Sequence, residues 1–198
     1  MHMNRPNDTA QTAERNFHRA LLPLRLILAF VWILGGVLNL NDAQVSCGPS
    51  CGQEKYSQLI GTVWANGIPV ALPVPSTLYL QDNIPPNPVP GMAWFLSEIV
   101  APNALLFITT MAIFEIAVGV AILTGSFTRL ATLGAILMNL TIILAAGHTH
   151  PGILRVNLLM AAAALTLFLA GAGRYYAVDP WLSQKVSRWP LLRRACAV

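Results

Sequence analysis

A glutamate in the middle of an apolar run is the residue of greatest chemical consequence in this 198-residue sequence. Glu115 lies about halfway along Pro102–Thr124, where an ionised side chain costs at least ~2.5–3.5 kcal/mol on insertion scales. Such a residue turns toward a bundle interior and takes a partner there. Arg25 lies near the start of an earlier run, Ala20–Asn41. With a rise of 1.5 Å per helical residue, the axial offset between the two is roughly 6 Å, within reach of an arginine. An Arg25–Glu115 ion pair is therefore geometrically available, with two readings. It is either a clamp, with Arg25 snorkelling to the interface, or a proton-handling site in which Arg25 tunes the carboxyl.

A second polar cluster falls in Gly-His-Thr-His-Pro-Gly-Ile-Leu-Arg, which supplies His148, His150 and Arg155, with Asn157 just beyond. A guanidinium matches a planar oxyanion and imidazole can donate or shuttle a proton near neutral pH, so the cluster suits a small anion or a carbonyl. The alternative is an interfacial loop with polar tips. No cysteine or carboxylate stands beside the His-x-His pair to complete a ligand set, so no metal is expected. Asn139 and Asn157 lie within apolar runs, where a buried amide ordinarily hydrogen-bonds between helices. Cys47 and Cys51 form Cys-Gly-Pro-Ser-Cys, whose Gly-Pro bend allows a structural disulfide; thiol–disulfide exchange is the competing use. Cys196 is expected to stay a thiol.

The elements that must position these groups are membrane spans. The chain is 55% hydrophobic and 10% charged, far below the charged content of soluble domains. Four runs, Ala20–Asn41, Pro102–Thr124, Leu130–Gly147 and Gly152–Ala172, are each long enough to cross a bilayer. Short connections at Gly125–Arg129 and His148–Pro151 force antiparallel neighbours. The expected fold is an all-α membrane protein, an up-down bundle of four transmembrane helices with a long proline-rich outer loop. The domain reading is a cytoplasmic segment over 1–19, a membrane domain over 20–180 and a basic tail over 181–198.

Arg5, Arg15, Arg19, Arg129, Arg174, Lys185, Arg188, Arg193 and Arg194 flank the runs on one side, against Lys55 and Arg155 on the other. The positive-inside bias then puts both termini in the cytoplasm of a bacterial inner membrane, with 42–100 outside. The net charge of +4 is thus a topology signal; acidic lipid is a secondary partner and nucleic acid is not expected. The outer loop holds eight of the fourteen prolines, which favour extended backbone over helix. Leu59–Leu80 is apolar but interrupted by Pro69, Pro73 and Pro75, and reads as an interfacial or re-entrant piece. The N-terminus lacks the features of a cleaved signal peptide.

Three segments carry a resemblance. They are Arg25 with Trp32, Gly35 and Gly36; Ala101–Phe107 leading into Phe114–Arg129 (Phe-Glu-Ile-Ala-Val-Gly-Val-Ala-Ile-Leu-Thr-Gly-Ser-Phe-Thr-Arg); and Gly171–Asp179, with its Gly-x-Gly-Arg-Tyr start and closing Asp. Together they resemble the DoxX-like superfamily of four-span proteins, and more closely the DoxD-type subunit of thiosulfate:quinone oxidoreductase. The resemblance implies a membrane subunit that oxidises a sulfur compound and passes electrons to quinone, together with a DoxA-like second subunit. On that reading His148, His150, Arg155 and Asn157 take the anion, while Glu115 and Arg25 manage protons beside the quinone. Two other classes stay open: a non-catalytic accessory subunit of a larger respiratory or photosynthetic complex, and a thiol–disulfide protein working through Cys47 and Cys51.

Overall fold

The computed structural model describes residues 6–46, 87–100, 103–148 and 151–196, and these are all-helical, with no strand among them. Helix α1 spans Pro6–Ser46. A short helix α2, Met92–Trp94, runs directly into a π-helical turn at Phe95–Val100. Helices α3 (Ala104–Thr124), α4 (Thr128–Ala146) and α5 (Pro151–Leu169) follow, then the short α6 (Asp179–Lys185) and α7 (Pro190–Ala195).

Among the described residues, three helical stretches are long and apolar enough to cross a membrane: Gln11–Leu40, Thr128–Ala146 and Pro151–Leu169. In α3 the apolar stretch Thr109–Thr124 is shorter. The first helix starts well before the expected Ala20, because 6–19 contains no glycine to break it and Pro6 occupies a first helical position, where its missing N–H costs nothing. Large apolar side chains point outward along these helices; Ile27, Phe30 and Leu159 are examples. Outward-facing apolar surface of this kind suits lipid.

The chain divides into two compact units, one of Met1–Ile33, Ala117–Leu140 and Asn157–Val198, the other of Leu34–Ile116 and Thr141–Val156. The first has a continuous core: Leu28, Ala29 and Trp32 from α1, Val118 and Ile122 from α3, Ala131 and Ala135 from α4, Ala164 and Leu167 from α5. Small residues set its spacing. A Cβ on Gly119 would lie 2.7 Å from Ile33 Cγ1 and 2.9 Å from the Ala29 carbonyl oxygen, so α1 and α3 approach there to a distance that only glycine allows.

Two helices in this unit stop in the same way. Gly125 (φ 67°) follows α3, and the Ser126 N–H returns to the Ala121 carbonyl at 2.9 Å. Gly171 (φ 60°) follows α5, and the Ala172 N–H returns to the Leu167 carbonyl at 3.1 Å. Both are left-handed glycine stops that satisfy the last carbonyls of a helix. In the second unit, Asn87 Nδ2 donates to the Leu144 and Ala145 carbonyls at 3.2 and 3.0 Å, closing the end of α4.

Candidate functional site

Among the described residues, two buried polar arrangements stand out, one in each unit. In the first, Arg25 is directed onto the segment after α5. Its Nη1 donates to the Ala172 carbonyl at 2.9 Å and the Tyr175 carbonyl at 3.4 Å, and its Nη2 to the Tyr176 carbonyl at 2.5 Å. Helical side chains lean toward the N-terminus of their own helix, and Arg25 leans onto carbonyls that follow a helix C-terminus, where the backbone carries negative charge.

The rest of that segment is fastened to the same helix. Arg174 pairs with Glu14 at 2.5 Å, the Tyr175 ring lies 4.9 Å from that of His18, and Arg19 Nε donates to the Tyr176 hydroxyl at 2.6 Å. Tyr176 takes a positive φ of 53°, a conformation a bulky residue adopts only when its surroundings impose it. The contacts from Arg19 and Arg25 impose it here.

Asp179 completes this knot. Its Oδ2 accepts the Thr128 N–H at 3.0 Å, at the first residue of α4, and supplies the acceptor an N-terminal amide otherwise lacks. The Val178 N–H donates to the Thr124 carbonyl at 3.1 Å and the Asp179 N–H to the Gly125 carbonyl at 2.9 Å. There is no room for side chains at the two nearby glycines: a Cβ on Gly125 would collide with Ala177, and one on Gly173 with Asp179 and Thr128. Cys196 is buried, and that burial, with the Asp179 carboxylate beside it, pushes its thiol up to about 11.

The second arrangement centres on Glu115, which is 5% exposed. Asn39 Nδ2 donates to its Oε2 at 2.7 Å. Gly35 lies one turn before Asn39 on the same face of α1, and a Cβ added there would meet Glu115 Oε2 at 3.6 Å, an ordinary van der Waals contact. At Gly36 a Cβ would come within 2.6 Å of the Ala112 carbonyl oxygen, so α1 and α3 approach closely beside the Asn39–Glu115 pair. Among the described residues Oε1 has no hydrogen-bond partner and no cation contacts the carboxyl.

The expected Arg25–Glu115 pair joins residues of different units, and within its own unit each side chain has other partners. Axial offset along two helices leaves side-chain direction open, and neutral amides and backbone carbonyls can serve as partners as well as charges. Arg25 instead satisfies backbone carbonyls, and Glu115 takes a neutral amide. Nothing in the sequence sets Asn39 apart from other amides in apolar runs. Asn139, expected to bond between helices, is fully buried but donates to the Ala135 carbonyl of its own helix at 2.7 Å. His148 and Arg155 are exposed and share no hydrogen bond; Asn157 is half-buried. His150, Cys47 and Cys51 lie outside the described residues.

The helix stop at Gly125, the carbonyl-bound Arg25 and the Asp179 cap account structurally for segments 114–129 and 171–179. Residues 75–196, more than half of the chain, match the family described as "TQO small subunit DoxD". The chain belongs to the DoxD family. No solved structure matches this DoxD chain. The matched region contains Glu115 and the whole knot apart from its α1 side, whereas Arg25, Gly35 and Asn39 lie before it.

Proposed function

We propose that this DoxD-family membrane protein is the quinone-facing subunit of a thiosulfate:quinone oxidoreductase, and that Glu115 with Asn39 forms its proton-handling site. The observation that carries the reading is the Glu115 carboxyl, buried in an apolar helix with a neutral amide as its partner. Burying an uncompensated carboxylate is costly, and the neutral acid avoids that cost. Accepting from Asn39 at Oε2 leaves Oε1 free to carry the proton toward a carbonyl.

The residues present fit a quinone headgroup. Glu115 provides an oxygen with no partner among the described residues, and Gly35 stands beside the carboxyl. A bound quinone would supply the two-electron, two-proton acceptor. Glu115 and Asn39 would orient its carbonyl and deliver a proton within the membrane, while Arg25 holds the fold. Exposed His148 and Arg155, with His150 and Asn157, would take the sulfur anion at the outer face.

The larger arrangement belongs to the same proposal. Helix α3 serves as a fourth span, giving an up-down bundle in the bacterial inner membrane with both termini cytoplasmic, 42–100 outside and Cys47–Cys51 as a structural disulfide. The words "small subunit" in the family description support a second, DoxA-like subunit.

A hydrophobic carbodiimide reacts with protonated carboxyls in membranes and tests the site directly. In native membranes the adduct is expected on Glu115, and excess quinone is expected to slow its formation. Absence of the adduct, or an adduct indifferent to quinone, would contradict the proposal.

A further inference from the structure

Outside the spans, the C-terminal segment carries an aromatic and basic surface that neither the knot nor the Glu115 site uses. Trp181 is 59% exposed, Trp189 65% and Leu191 78%, and Lys185, Arg188, Arg193 and Arg194 are exposed among them. The Lys185 ammonium lies 5.7 Å from the centre of the Trp181 ring. Over 179–196 the single acidic residue is Asp179, which is fully buried against Thr128. The exposed charge of this segment is therefore entirely positive.

Its position is fixed. Helix α6 begins where the Val178 and Asp179 N–H groups bond to the last turn of α3 and the glycine after it, and where Asp179 caps the first residue of α4. It follows α5 by only a short connection, and α4 and α5 are both apolar enough to cross a membrane. The other end of the segment is tied down as well, because Cys196 is buried with Asp179 beside it. Held at the ends of helices apolar enough to span, the segment would lie at the depth of the lipid headgroups. There, tryptophan settles into the interface and each basic residue gains from an anionic surface.

We infer that residues 181–194 form a docking surface for the anionic phospholipid headgroups of the membrane the protein occupies. Trp181, Trp189 and Leu191 seat in the interface, and Lys185, Arg188, Arg193 and Arg194 hold phosphates. The inference is independent of the quinone reading. The charge argues for this occupant over another protein surface: every exposed charge is cationic, and every large apolar group is interleaved with one.

Limited trypsin digestion of the full chain in lipid nanodiscs tests it. Cleavage after Arg188 is compared with cleavage after the exposed Arg15, which serves as an internal control. Replacing phosphatidylcholine by phosphatidylglycerol should slow cleavage after Arg188 relative to Arg15 at least about ten-fold, and high salt should reverse the effect. Equal relative rates in the two lipids would overturn the proposal. So would equal protection in both, which would mean that another copy or another protein covers the segment. In the Trp189→Ala/Leu191→Ser double variant the lipid-dependent protection should fall; undiminished protection would mean charge alone acts, and would refute the seating of the aromatic face.

Discussion

Arg25 and Glu115 show how differently two buried ionisable side chains can be satisfied. Arg25 holds three carbonyls of one segment, so Arg25→Met would leave one buried and two part-buried acceptors unpaired. A loss of about 3 kcal/mol or more is expected in chemical unfolding in micelles. Glu115→Gln keeps an oxygen that can accept from Asn39, and should change stability by less than ~1 kcal/mol. Because the two side chains share no partner, the double variant should be additive within ~0.5 kcal/mol. A larger coupling would restore the ion pair. Cys196 adds a pH dependence. Its thiol is raised from 9.0 to about 11 in the folded protein, so the fold favours the protonated form. That contribution is complete below about pH 9 and is lost as pH rises toward 11. In unfolding measurements across this window, Cys196→Ala should show a smaller alkaline decline than the parent.

Among the elements, the turn at Gly125 is constrained twice over. Its positive φ and its contact with Ala177 both exclude a side chain, so Gly125→Ala should destabilise by about 1–3 kcal/mol, readable as a lowered Tm. An unchanged Tm would mean the turn can relax. These elements were only partly legible from sequence. The apolar runs located α3, α4 and α5 to within a few residues, because hydrophobic length is a strong signal. The glycine stops were visible as residues, but their geometry was not. Arg25's partners escaped notice because they are backbone carbonyls, which no residue type announces. Asn39 escaped because an amide in a span reads as packing. The early start of α1 was missed because its first turns are polar, and apolar periodicity says nothing about a polar helix.

For the whole molecule, the positive-inside distribution predicts that the basic tail faces the cytoplasm. Ser183 is buried, so the exposed Gln184 is the better reporter. In a chain free of its native cysteines, Gln184→Cys should resist a membrane-impermeant reagent in intact cells, while Ser57→Cys reacts. The reverse pattern would invert the topology. The central claim, that a DoxD-family chain uses a buried carboxyl to serve quinone, concerns the assembled protein and is tested most directly in membranes. Thiosulfate-dependent quinone reduction should be measured with the chain and its co-purifying subunit, for the parent and for Glu115→Gln. The account predicts activity in the parent and its loss in Glu115→Gln at unchanged Tm. Full activity in the variant, or no thiosulfate-dependent quinone reduction by the parent complex, would contradict it.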